Sequence, residues 1–184
     1  MLTKLQFVDG ALRATESEEN AIQVFTNPDA AERALLRTAY RLDEHTLSSA
    51  LDPEEVSRME LNDSRLLLIW KRPENYSGGE TFFFNVSSMG LLVTADRLVV
   101  IAPEDLQLLD GSSRPAVPPR TPIETALMVL FASAHHYMEH LKVIRMIARE
   151  LQAKINRSME NKHLIQMFNL SESLVYYLNA INGN

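Results

Sequence analysis

"TPIETALMVLFASAHHYMEHLKVIRMIARELQAKINR", residues 121–157, carries the strongest local signal in the chain. Three marks set a helix start: Thr121 stands at the N-cap, Pro122 takes the first helical position, where a missing N–H costs nothing, and Glu124 completes a capping box. From there Leu127, Leu130, Ala134, Tyr137, Leu141, Ile144, Ala148, Leu151 and Ile155 alternate spacings of three and four, the rhythm of an a/d seam. The reading is one helix of about 35 residues, about 50 Å long at 1.5 Å per residue. After "NRS" a second helix is expected, with Leu164, Phe168, Ser171, Val175 and Leu178 on its packing face. The two then form an antiparallel hairpin.

Inside the long helix, "HHYMEH" (135–140) matches the H-x-x-E-H spacing of an inverted zinc-protease motif through His136, Glu139 and His140. Histidines four apart share a helix face and can chelate zinc. Catalysis also needs a third protein ligand and an open position for water. Beyond the hairpin turn only Glu160 and Glu172 are carboxylates, and neither has a ligand context. Two partly exposed histidines at a helix-helix margin are expected, with a zinc-dependent hydrolase as the alternative.

Upstream, "KLQFV" and "ALRAT" flank the Asp9-Gly10 turn signal and read as a hairpin, and "AIQVFT" as a strand. "NPDAAERALLRTAY" starts a helix with Asn27 as cap and Pro28 at the first position, and "EHTLSSAL" a second one capped by Asp43. Strands "VSRMEL", "RLLLIWK", "TFFFNVSS", "GLLVT" and "RLVVIA" follow. The apolar runs at 66–70 and 98–101 suit strands covered on both faces. The fold class is therefore α/β, a mixed sheet sandwiched between helices (α/β/α) and followed by the hairpin. Residues 1–110 read as the sheet subdomain, 111–120 as a proline-rich linker and 121–184 as the hairpin, in one structural domain.

With 184 residues, 46% apolar and 23% charged, the chain can build one substantial core. Eighteen basic against twenty-four acidic residues, with no dense basic cluster, argue against nucleic acid. The absence of cysteine excludes disulfides and thiolate metal sites and fits the cytoplasm. No apolar run reaches membrane-spanning length. Gly78-Gly79 lacks the context of a phosphate loop, Ser87 and Ser88 lack a hydrolase elbow, and Trp70 and Phe82 to Phe84 read as core. Asp52, Glu54 and Glu55 could gather round a hard cation such as magnesium, although a solvated loop is the plainer reading.

The order of these segments resembles the cytoplasmic domain of CorA-type magnesium transporters. The likeness rests on Asn27-Pro28, on Leu47, Leu51, Asp52 and the Arg58 to Glu60 stretch, on Leu92 to Thr94, and on the long helix, and it covers nearly everything from Ala21. It implies a regulatory domain of a divalent-cation transporter, for Mg2+ or Co2+, without catalysis or a required cofactor. Five copies would surround a stalk on the cytoplasmic face of the inner membrane. Carboxylates at subunit boundaries would bind the cation and hold the pore closed. The family's Gly-Met-Asn motif and two membrane helices are absent, which implies membrane attachment through C-terminal helices outside this stretch. The Glu-Asp pair of some members falls on Ser48-Ser49, weak magnesium ligands, leaving Asp52 and Glu54 as candidate substitutes. A zinc-transporting member of the same family is a close alternative.

Overall fold

The computed structural model describes residues 1–8, 11–17, 21–62, 64–74, 84–106, 119–158 and 160–184. Its elements run β1 (Leu2–Val8), β2 (Ala11–Ala14), β3 (Ile22–Thr26), α1 (Ala30–Ala39), α2 (Glu44–Leu51), β4 (Arg58–Asn62), β5 (Arg65–Pro73), β6 (Val86–Val93), β7 (Leu98–Ala102), α3 (Pro122–Arg157) and α4 (Asn161–Gly183). The strands form a seven-stranded sheet in the order β2-β1-β3-β7-β6-β5-β4. β3 and β7 pair in parallel and the other neighbours antiparallel. A parallel pair needs a long crossover, and here it contains α1, α2 and the β4–β6 meander.

Period-two alternation assigns each strand residue a face. Leu98, Val100, Ala102, Leu91 and Val93 point to the side where Ala126 and Val129 of α3 pack. Val99, Ile101, Leu92, Leu67 and Ile69 point to the side covered by Leu36 of α1 and by Leu47 and Ala50 of α2. β7 is thus buried throughout, as its continuous apolar run requires, and the sheet lies between helices as expected. A third cluster joins Phe84 to Tyr137, Ile144, Ile147 and Leu151 of α3 and to Leu170, Tyr177 and Ala180 of α4.

Several expectations need correction. The cap of α1 is Asp29, not Asn27: Asp29 Oδ1 accepts from the Glu32 N–H at 2.9 Å, and Glu32 Oε2 accepts from the Asp29 N–H at 3.0 Å. Asn27 sits at φ 43° and spends its N–H on the Ala102 carbonyl, 2.7 Å away, so it ends the strand rather than starting the helix. Asp29→Ala should cost about 1 kcal/mol, read from the urea midpoint, and an unchanged midpoint would show the cap to be idle. "TFFFNVSS" and "GLLVT" are not two strands. Met89 and Gly90 pair in register with Trp70 and Ile69, so β6 runs through without a turn. Residues 81–83, and 111–118 of the linker expected at 111–120, lie outside the described residues.

α3 spans 36 residues, and Thr121 Oγ1 accepts from the Glu124 N–H at 3.2 Å. The return bond goes from the Arg120 N–H to Glu124 Oε2, 2.7 Å, rather than from Thr121. The expected seam holds at Tyr137, Ile144 and Leu151 but slips by one residue upstream: Ala126, Val129 and Ser133 are buried, whereas Leu127 is 58% exposed. The helix changes partner along its length, leaning first on the sheet and then on α4, and one straight helix cannot present a single stripe to both. On α4 the expected face points outward, with Phe168 70% exposed. The buried residues are His163, Leu170, Ser173, Tyr177 and Ala180. Small Ser173 and Ala180 permit a close approach to the sheet edge that the larger stripe would block.

Candidate functional site

The histidine motif resolves into a packing device. His140 is buried, and its Nδ1 lies 2.7 Å from the Tyr177 hydroxyl across the hairpin. Phe84 meets the His140 ring edge-on at 5.7 Å, and the His136 ring lies 4.2 Å away. One carboxylate oxygen of Glu139 lies 3.4 Å from His135 Nε2, and the Glu139 charge opposes the lowering of both His136 and His140. Among the described residues no three of the metal-binding types His, Asp and Glu gather to hold an ion. His140 is more buried than the sequence suggests, and among the described residues no third side chain joins His136 and His140 as a ligand.

Burial pushes the His140 imidazole down to about 4, with His136 adding to the shift. Burial lowers His136 too, helped by Arg72. The unfolded His140 binds its proton near 6.5 and the folded one near 4, so between these values the unfolded chain holds the extra proton. Stability should therefore fall as pH drops from about 6.5 to 4, by about 3 kcal/mol from this residue, and be indifferent to it above. Urea unfolding at pH 7 and pH 4.5 should show His140→Gln losing that part of the acid sensitivity. Equal losses in both proteins would assign the slope to carboxylates instead.

The candidate cation residues lie on the other face, where α2 ends. Asp43 Oδ1 caps α2 through the Thr46 N–H at 2.7 Å, as expected, and Ala50 seats the helix on Gly90 of β6. The chain then leaves through Asp52, whose Oδ1 accepts from the Glu54 N–H at 2.9 Å. Both carboxylates are exposed. The Ser48-Ser49 pair is split: Ser48 faces solvent, while buried Ser49 donates to Glu55 Oε2 at 2.9 Å. That bond, with the Val56 N–H and the Arg58 and His45 charges, holds the Glu55 carboxyl below its usual range.

Lys71 is the residue that the sequence reading missed. It points to the α2 side of the sheet, 6% exposed, and its ammonium donates to the carbonyls of Pro53 and Asp52. Burial lowers its pKa, and the charges of Asp52, Glu54 and Glu55 oppose that shift. Ser88 Oγ donates to the same Asp52 carbonyl at 2.6 Å. The main chain of Lys71 is occupied as well: its N–H donates to Asn184 Oδ1 at 2.9 Å and its carbonyl accepts from Asn184 Nδ2 at 2.8 Å. Ser57 Oγ adds a 2.8 Å bond to Asn184 Oδ1. β4 stops pairing with β5 at Ile69, so beyond it the Asn184 amide takes the place of a cross-strand residue. The candidate loop and the last turn of α4 are thereby tied to one residue of β5. A lysine interrupting "RLLLIWKRP" in phase with inward Leu67 and Ile69 was the available signal.

This arrangement defines a helix-covered mixed sheet with a long helical hairpin tied to it through Asn184. The family model described as "CorA-like Mg2+ transporter protein" matches residues 20–184, and the chain belongs to that family, which is one of transporters and not of enzymes. The fold is similar to the soluble domain of CorA from Methanocaldococcus jannaschii, with TM-score 0.78, 18% identity, and coverage of 100% of this chain and 76% of that one. It is also similar to the complete CorA magnesium transporter from Methanocaldococcus jannaschii, with TM-score 0.77, 15% identity, and coverage of 100% and 60%. The ZntB cytoplasmic domain from Vibrio parahaemolyticus RIMD 2210633 matches at TM-score 0.61 and 13% identity, covering 90% and 72%. The chain thus spans about 60% of the complete transporter's length. No curated protein matches by sequence. Among the described residues no helix is long and apolar enough to cross a membrane.

Proposed function

We propose that the chain is the cytoplasmic regulatory domain of a divalent-cation transport protein, with Mg2+ as the transported and regulatory ion and Co2+ as the second candidate. The observation that carries this reading is the family match across residues 20–184. In it, five copies surround a central stalk at the inner membrane, Asp52 and Glu54 offer hard oxygen ligands to the cation, and binding favours the closed assembly by no more than its differential affinity. The tie from the 52–57 loop to Asn184 supports the assignment, because an ion at the loop would be felt at the end of α4. The likeness to a ZntB domain supports a zinc-transporting member as the second reading, at a lower TM-score than the CorA domain.

The test is cation flux through the full-length gene product in liposomes. Mg2+ influx should be inhibited by millimolar Mg2+ on the domain side, and Asp52→Asn with Glu54→Gln should weaken that inhibition about tenfold. Transport of Zn2+ without Mg2+ would favour the zinc reading. Inhibition unchanged in the double variant would remove the two carboxylates from the sensor.

A further inference from the structure

α1 stops on a residue that its backbone does not favour. Arg41 follows the helix with φ 53°, and the Leu42 N–H turns back to the Leu36 carbonyl at 3.3 Å. Glycine is the usual residue at such a left-handed stop, because a Cβ crowds the backbone there. An arginine at a helix C-terminus ordinarily serves to meet the last carbonyls and the negative end of the dipole. Here Arg65 of β5 already does so: its Nη1 donates to the Tyr40 and Arg41 carbonyls at 3.3 and 3.4 Å. The Arg41 guanidinium is left exposed, with no hydrogen bond or ion pair among the described residues. It opens on a hollow of about 500 Å3 that Arg37, Thr38 and Asp43 also line. That volume is in the range of small-ligand sites, roughly 300 to 1,000 Å3. Arg37 is 60% exposed, and its contact with Glu44 is 3.8 Å long. Exposed pairs of that kind are worth little, so Glu44 gives up Arg37 readily and keeps Arg33 at 3.4 Å. Asp43, the acid in the hollow, turns Oδ1 to the Thr46 N–H as the cap of α2. In a chain of net charge -6, this corner thus presents two guanidiniums with little else to hold.

We infer that Arg37 and Arg41 form an anion site that takes the phosphate groups of a phosphorylated ligand. A planar fork of N–H donors fits phosphate oxygens two at a time, which an ammonium does not. The unfavourable backbone at Arg41 is what places the second fork at the rim of the hollow, opposite the one from the last turn of α1. The hollow lies at the start of α2 and the Asp52 and Glu54 loop at its end, so neither site depends on the other.

The experiment is calorimetric titration of the protein with pyrophosphate, against NaCl of matched ionic strength. Arg37→Gln and Arg41→Gly should each weaken binding on the order of tenfold, whereas Arg149→Gln, which removes an exposed arginine from α3, should not. Arg41→Gly carries a second signature. Its urea midpoint should rise, because glycine relieves the left-handed backbone, so its lost binding is not a loss of folding. A midpoint that falls makes Arg41 a structural residue and overturns the site. Sedimentation with vesicles of phosphatidate in phosphatidylcholine distinguishes the source of the phosphate. Pyrophosphate binding without pelleting supports a soluble ligand; pelleting that Arg41→Gly abolishes, without pyrophosphate binding, supports a lipid headgroup. Binding to neither probe, or binding undiminished in Arg41→Gly, overturns the anion site.

Discussion

Gly90→Val is expected to destabilise the chain by about 3 kcal/mol or more, a large fraction of the roughly 5 to 15 kcal/mol that holds an ordinary domain folded. A Cβ at Gly90 would stand 2.8 Å from the Ala50 Cβ and 3.9 Å from its Cα, well inside the contact distance of two carbons. Ala50 belongs to α2 and is fully buried, so it has no flexible side chain to withdraw. Relief requires α2 to lift from the sheet, opening the contacts of Leu47 with the cluster of Ile69, Leu92 and Ile101. The cost comes from the helix-sheet approach, not from backbone strain, because valine suits a strand. Gly90→Ala should be milder, and Ala50→Gly should rescue it in part, less the cost of glycine within a helix. Urea unfolding of the four proteins makes the cycle, and a Gly90→Val protein as stable as wild type would disprove the close approach.

Tyr177→Ala should cost about 4 kcal/mol, as large aromatic truncations in a packed core do. Its ring is 1% exposed and meets Tyr137 edge-on at 5.2 Å, Phe84 at 6.2 Å and His140 in a stack at 6.1 Å. It thus joins both helices of the hairpin to the segment leading into β6. Tyr177→Phe keeps the ring and removes the 2.7 Å bond to His140 Nδ1, for about 1 to 2 kcal/mol. The two variants separate packing from hydrogen bonding. A phenylalanine variant as damaged as the alanine variant would mean that the hydroxyl, not the ring, holds the hairpin. Hydrogen exchange of α4 amides should rise in Tyr177→Ala before the sheet loosens, because α1 and α2 pack on a different cluster.

The local marks in the sequence located most elements. Asp43 caps α2 where read, the Asp9-Gly10 signal separates two paired strands, and the run at 98–101 is the strand buried on both faces. Each depends on a few neighbouring residues, and so does the α1 cap, where two polar residues flank Pro28: Asn27 takes a positive φ at the end of the strand, and Asp29 caps the helix. The loop of Asp52 and Glu54 was legible as a group of acids. Its positive partner was not, because Lys71 lies 19 residues away and reaches the loop through the folded sheet. Asn184 is farther still from Lys71, 113 residues along the chain.

The amino-acid sequence by itself determined that there would be a mixed sheet between helices, that a helix of about ten turns would follow, and to which family the residues belong. Those properties reside in the local period of apolar positions, in caps and in segment order. Only the tertiary structure decided which stripe of α4 is buried, why the α3 seam slips, that His140 meets the Tyr177 hydroxyl across the hairpin, and that a lysine sits beneath the candidate loop. Periodicity states that a helix has an apolar face. Which of two such faces turns inward is set by the side chains it must fit against, and these come from distant parts of the chain.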